Sequence, residues 1–283
     1  MPNTVLAFDI GGTKTAWAIV DEEGTLGKRG EFATPQDRET FLAQFKKVVD
    51  AHADVAGVGI GIAGTVSANH KNTLVCPNIP ELSHLELSET VSKPCAIDND
   101  GRCALIGEAW LGAATDTSSA VMITLGTGVG GAVMQRYKVL PHPTDLSLEI
   151  SHLVADPDDY YPAKAGRGTI EALIGGKNIE ARYEVSLAEM SGRTQKDDTD
   201  ATEFWQILQH AFHQCIRAIH EAYGCRMIIV GGRGVKDLPL YLGGNPTPCP
   251  VIPAKLGPDA GLYGAARLGF DAVEEDAKDW DEE

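Results

Sequence analysis

Asp9, Gly11, Gly12, Thr13 and Lys14 fall within the six residues DIGGTK. That set brings together one acid, two residues without side chains, a hydroxyl and a cation. Glycine lets a ligand come close to main-chain N–H groups, and successive N–H groups in a turn form an anion-binding nest. Thr13 and Lys14 add a donor and a positive charge at the same place. Asp9 would repel phosphate on its own. Its useful role is to hold Mg²⁺, directly or through water, with the metal bridging phosphate oxygens. A Gly-Gly turn is also an ordinary hairpin connection, so one such turn decides little. A second one, Gly126-Thr127-Gly128 in LGTGVGG, starts 115 positions after Gly11. Two glycine hairpins from matching halves can grip one polyphosphate from both sides. The P-loop pattern GxxxxGK[ST] is absent. The GxGxxG of residues 126–131 continues into Ala132-Val133, which reads as strand rather than as the helix a dinucleotide site needs.

The elements around these turns alternate between the two periods. Residues 4–10 and 15–20 read as strands joined by GGTK, with a turn at 21–24 and a third strand near 26–33. Thr34-Pro35 opens a helix to about residue 52, with Phe41, Leu42, Phe45, Val48 and Val49 on one face. A glycine-rich strand spans Val55 to Ile62, another ends at Ile97, and a helix covers Arg102 to Leu111. The pattern restarts near residue 120, with strands at 120–125 and 129–134, a helix at 168–183 and a longer helix from 200 to Tyr223, stopped by Gly224. Met227 to Val230 is a buried strand ending in Gly231-Gly232, and a last helix covers 258–270. Two strand–glycine turn–strand units imply an internal duplication, with the boundary at residues 112–118.

The chain has 283 residues, 43% of them apolar, which suits one large domain or two medium ones. A formal charge of −16 argues against binding to nucleic acid or anionic membrane. Part of that charge is local: EEDAKDWDEE at 274–283 reads as a frayed, solvated acidic tail. The sequence shows no membrane span and no secretory signal. The cysteines at 76, 95, 103, 215, 225 and 249 form no CxxC pair. They read as incidental thiols of a reduced, cytoplasmic chain, not as a disulfide framework or a cysteine zinc site.

DIGGTK, the DND of 98–100, LGTGVGG, the ExxH of 149–152, the IEA of 170–172, IVGG at 229–232 and DAGLYGAARL at 259–268 occur in that order. Together they resemble the ROK family (repressor, open reading frame, kinase) along essentially the whole chain. The resemblance implies a two-domain, duplicated α/β architecture, the actin-like (ribonuclease H-like) ATPase fold. It implies a small first domain of residues 1–115 completed by the helix at 258–272, a larger domain of residues 116–257, and a tail at 273–283. The activity implied is ATP- and Mg²⁺-dependent phosphorylation of a hexose. Glucose at its 6-hydroxyl is the first expectation, with N-acetylmannosamine or N-acetylglucosamine as the alternative. A homodimer, with substrates bound between the domains, is implied as well.

By the same resemblance, Asp100 is the general base. The chemistry agrees, because a sugar hydroxyl must lose its proton as it attacks the γ-phosphate and a placed carboxylate can accept it. Read on their own, Asp98-Asn99-Asp100 would equally serve as a helix cap. Glu149 and His152 resemble the pair that holds sugar hydroxyls, Glu171 the glutamate that closes the site, and Asn78, Asn99, Gly64 and Thr65 further sugar contacts. Gly126, Thr127 and Gly128 match the second phosphate turn, and Gly231-Gly232 the turn near the adenosine. Arg233, where the family often carries Gly or Ser, receives no role.

Two departures stand out. The family's zinc loop, CxCGxxGC, is replaced by PAKAGRGT, with Pro162, Lys164 and Thr169 at the cysteine positions. No zinc is expected there, and packing by Tyr160 and Tyr161 is expected to order the loop. Ser151 replaces the glycine of ExGH. The family also contains repressors, but only eight residues precede Asp9 and no basic recognition helix is visible.

Overall fold

The computed structural model describes residues 3–141, 149–194 and 198–281, with side chains through residue 278. The chain divides into two compact units, residues 1–115 with 258–283, and residues 116–257.

In the first unit, β1 (Thr4–Ile10), β2 (Lys14–Asp21) and β3 (Leu26–Ala33) form an antiparallel meander, followed by α1 (Arg38–Asp50). β4 (Gly57–Ile62), the short ribbon β5 (Thr65–Val66) and β6 (Thr73–Val75), β7 (Cys95–Asn99) and α2 (Asp100–Leu111) come next. The sheet order is β3-β2-β1-β4-β7, with β4 parallel to both β1 and β7. β1 is buried on both faces, which explains its unbroken apolar run. Leu6, Phe8 and Ile10 share a core with Phe41 and Phe45 of α1. Val5 and Ala7 pack on the other face with Leu262, Ala265, Ala266 and Phe270 of the C-terminal helix.

In the second unit, β8 (Ser119–Leu125), β9 (Val129–Gln135) and β10 (Lys138–Val139) form another antiparallel meander. It is followed by α3 (Ile170–Ile174), α4 (Gly176–Tyr183), α5 (Leu187–Thr194), α6 (Thr199–Tyr223), β11 (Ile228–Gly231), α7 (Leu238–Leu242) and β12 (Val251–Pro253). The sheet order β10-β9-β8-β11-β12, with β11 parallel to β8 and β12, repeats that of the first unit. The duplication is therefore one of topology. α6 turns a stripe of Trp205, Leu208, Phe212, Ile216 and Ile219 into the core. Asp198 caps its start and Gly224, at φ 56°, ends it.

The last element, α8 (Ala260–Asp281), belongs to the first unit. It approaches α2 and β4 at backbone distance. A Cβ on Gly59 would lie 1.7 Å from the Ala265 carbonyl oxygen, and one on Gly264 would lie 1.7 Å from that of Cys103.

Four sequence readings change. The first helix starts at Arg38, with Asp37 accepting the Thr40 N–H at 2.8 Å. The helix expected over 168–183 is two, because Gly175 at ψ 126° breaks it. The acidic segment after residue 273 is helical to Asp281 rather than frayed, with Arg267 bonded to Asp271 and, at 2.9 Å, to Glu274. Residues 282 and 283 lie outside the described residues. Tyr160, expected to order its loop by packing, is 76% exposed. No helix among the described residues is long and apolar enough to cross a membrane.

Candidate functional site

In the first unit the chemistry-bearing residues gather at the C-terminal ends of the parallel strands β1, β4 and β7, where open α/β sheets present their loops. β1 delivers Asp9. The turn after it is held by Gly11 N–H donating to the Lys14 carbonyl at 2.9 Å, and by Thr34 Oγ1 donating to the Gly11 carbonyl at 2.8 Å. Gln36 Nε2 donates to the Gly12 carbonyl at 3.0 Å. A Cβ on Gly12 would meet Asn78 at 2.8 Å, so the phosphate-type turn and Asn78 touch. Thr13 and Lys14 are exposed, and Lys14 pairs with Glu31 at 2.9 Å rather than with Asp9. That surface pair is weak enough for a bound anion to recapture the ammonium.

Burial, the charge of Asp100 and, more weakly, that of Asp259 push the Asp9 carboxyl up to about 6, against the opposing pull of Lys14. The first turn of α8 presses on it, since a Cβ on Gly261 would sit 2.9 Å from Asp9 Oδ2. Two crowded carboxylates of one sign favour a divalent cation. Asp9 therefore fits the Mg²⁺ role.

Asn99 caps α2 by accepting the Arg102 N–H at 3.1 Å, and Asp100 is the first helical residue. Asn99 Nδ2 donates to the Gly64 carbonyl and to Asp100 Oδ1, both at 3.0 Å, and Gly101 N–H donates to the same Oδ1 at 2.9 Å. Asp100 is thus fixed through one oxygen. Its carboxyl is held above the usual range by burial, against the pull of the Gly101 and Asn99 hydrogen bonds. Thr65 Oγ1 accepts from Val75 N–H at 3.1 Å. Asp98 lies behind this segment, buried, and its Oδ1 accepts from Arg102 Nε at 2.6 Å and from Asn99 N–H at 2.7 Å. The sequence reading left Arg102 out. Its spacing of four from Asp98, at a helix start, was the available signal.

In the second unit the β8–β9 turn is closed by Gly126 N–H donating to the Gly128 carbonyl at 3.0 Å. Glu171, in the first turn of α3, reaches this turn and accepts the Val129 N–H at 2.5 Å. A Cβ on Gly128 would collide with the Glu171 carboxylate at 2.8 Å. Glu171 therefore lies on the glycine turn. Glu149 and His152 come together separately, 3.7 Å apart, with Ser151 Oγ 3.1 Å from His152 Nδ1 and 3.4 Å from Glu149 Oε2. The serine in place of glycine links the pair.

β11 ends in Gly231, and Gly232 at φ 78° brings its α-carbon against β8; a Cβ there would lie 2.5 Å from the Leu125 carbonyl oxygen. Arg233 follows, and its Nη2 lies 3.4 Å from Thr127 Oγ1. The residue without a sequence-derived role thus joins two glycine turns.

The loop at the zinc-cysteine positions is ordered by other contacts. Ala155 and Asp156 N–H groups both donate to the Gly168 carbonyl, at 2.8 and 3.0 Å. Arg182 pairs with buried Asp159 and lies 5.1 Å over the Tyr161 ring. Thr169 caps α3, accepting the Ala172 N–H at 3.3 Å, while Pro162 and Lys164 are exposed.

Two sheets of one topology, each carrying a glycine hairpin between its first two strands, define a two-domain ATPase of the actin-like, ribonuclease H-type fold. The model of the ROK family matches residues 5–271, and the chain belongs to that family. An N-acetylmannosamine kinase from Shigella boydii is 30% identical over 290 residues, covering 94% of this chain and 98% of that one. The crystal structure of a ROK family glucokinase from Streptomyces griseus, in complex with glucose and AMPPNP, is 26% identical at a TM-score of 0.74. The match covers 95% of this chain and 100% of that one. The ROK hexokinase of Thermus thermophilus is 25% identical at a TM-score of 0.80, covering 96% and 99%.

Proposed function

We propose that the chain transfers the γ-phosphoryl group of ATP to the terminal hydroxyl of a hexose, with glucose at O6 as the first reading. The observation that carries it is the pair Asp9 and Asp100, two acids from the ends of β1 and β7 whose carboxyls are both held above the usual range, Asp9 by burial and the charge of Asp100, and Asp100 by burial. One would hold Mg²⁺, which when bound neutralises phosphate charge. The other accepts the proton of the attacking hydroxyl. The amides of residues 12–13 and 127–128, in turns closed by the Gly11 and Gly126 N–H groups, hold the phosphates with Lys14 and Arg233, and Gly231-Gly232 borders the adenosine. Glu149, His152, Asn78 and Asn99, with Gly64, Thr65 and Glu171, hold sugar hydroxyls, which as both donors and acceptors suit carboxylate, amide and imidazole.

A second reading, N-acetylmannosamine as the acceptor, is favoured by the relatives of that name, 30% identical over 94% of this chain. A coupled ADP assay with Mg-ATP across glucose, mannose, N-acetylglucosamine and N-acetylmannosamine separates the two by kcat/KM. No ADP above the sugar-free background with any of them overturns the kinase reading. Asp100→Asn is expected to keep sugar affinity and lose roughly 10²–10⁴-fold in kcat. Retained turnover would remove Asp100 from the role of base.

A further inference from the structure

His220, Cys225 and Cys249 come from separate stretches of the second unit, yet one donor atom from each lies within 4.8 Å of the other two. No other group of three or more histidine, cysteine or acidic side chains among the described residues meets that geometry. The backbone builds it. His220 sits in the last turn of α6, Gly224 reverses the chain in the left-handed region, and Cys225 follows at once. β11 then pairs with β12, Ile228 against Val251, and Ile228 N–H donates to the Pro250 carbonyl at 2.9 Å. This register sets Cys225 and Cys249, three and two residues ahead of the paired positions, side by side. Both are buried, and neither is in a disulfide.

From this arrangement we infer that His220, Cys225 and Cys249 form a binding site for a thiophilic d¹⁰ cation, Zn²⁺ or Cu⁺, tying the α6–β11 junction to β12. Two sulfurs and an imidazole select such an ion over Mg²⁺. In a tetrahedral site with Zn–S bonds of about 2.3 Å two thiolates lie about 3.8 Å apart, so side-chain adjustments on the order of an ångström close the site. His220 Nδ1 lies 3.1 Å from the Cys225 carbonyl oxygen. Donation to that oxygen fixes the tautomer and makes Nε2 the basic nitrogen, the outer contact typical of metal-binding histidines. The site involves none of the cysteine positions of the family's zinc loop and none of the residues assigned to phosphate or sugar.

The test titrates the phosphine-reduced, metal-free full chain with Co²⁺ and reads the thiolate-to-cobalt charge-transfer absorption. One equivalent per chain is expected, displaced by Zn²⁺ or by Cu⁺, with a higher Tm in Zn²⁺ and ADP turnover changed less than about twofold. Cys249→Ser and Cys225→Ala should each abolish the band, His220→Ala should weaken binding at least about tenfold, and Cys215→Ser should change nothing; circular dichroism confirms that each variant folds. Absence of the band from the wild-type chain, or its persistence in both folded cysteine variants, overturns the inference. The readout needs no sugar or nucleotide, so its failure is separate from failure of the kinase reading.

Discussion

Asp9 sets a condition on when the first unit is comfortable without ligand. Its carboxyl titrates near 6 when folded, against an ordinary value of 3.8. Below 3.8 the group is neutral in both folded and unfolded chains. As the pH rises through about 6, the folded protein must carry a charge that burial and Asp100 disfavour, and stability is lost. The full shift corresponds to about 3 kcal/mol; partial exposure of Asp9 discounts it to roughly 1–2. Asp9→Asn should therefore stabilise the ligand-free protein, with an advantage that grows from about pH 4 to about pH 6 in thermal melts and levels off above it, while turnover collapses. An advantage independent of pH would show that Asp9 is not the crowded acid. Arg233 gives a second expectation. Placed against Thr127 in the turn, it can add one charge-assisted bond to phosphate, so Arg233→Ala should raise KM for ATP about tenfold, near 1.4 kcal/mol. An unchanged KM would leave Arg233 in solvent. DIGGTK was legible because its chemistry is contiguous. Arg102, Arg233 and the His220–Cys225–Cys249 group were not, since only folding brings their partners near.

At the scale of elements, close packing depends on missing side chains. α8 crosses β4 where a Cβ on Gly59 would lie 1.7 Å from the Ala265 carbonyl oxygen, and backbone cannot swing aside. Gly59→Ala should cost about 3 kcal/mol or more in urea denaturation, the upper end for an overpacked core. Gly192, inside α5, has nothing within 4 Å of such a Cβ. Gly192→Ala should have the opposite sign, a gain of roughly 0.5–1 kcal/mol from helix propensity. If both variants destabilise alike, steric approach is not what fixes α8. Apolar periodicity located most strands and α6. It ran through Gly175 because the residues on both sides keep a helical pattern, and the break is set by that residue's extended backbone. It also stopped α8 too early, because a pattern of burial cannot follow a helix into solvent.

At the scale of the molecule, the two units depend differently on chain continuity. Residues 116–257 form one uninterrupted stretch with its own core around α6. The first unit is completed only by residues 258–283. The repeated strand order that underlies this division was legible from two glycine hairpins spaced along the chain, although the sequences of the halves differ. Stopping the chain after Gly257 removes α8, which strips Leu262, Ala265, Ala266 and Phe270 from Val5, Ala7, Ala18 and Val20. At the usual worth of buried apolar side chains this loss is about 10 kcal/mol, comparable with the roughly 5–15 kcal/mol that holds a whole domain. The truncated protein should therefore keep the second unit folded and lose the first. Limited proteolysis should degrade residues before 116 and spare a fragment of about the length of the second unit, with Trp205 still in a buried environment by fluorescence. A truncated chain that resists cleavage throughout would mean that the β1–β2–β4 face finds cover without α8, and that the C-terminal helix is dispensable to the fold it completes.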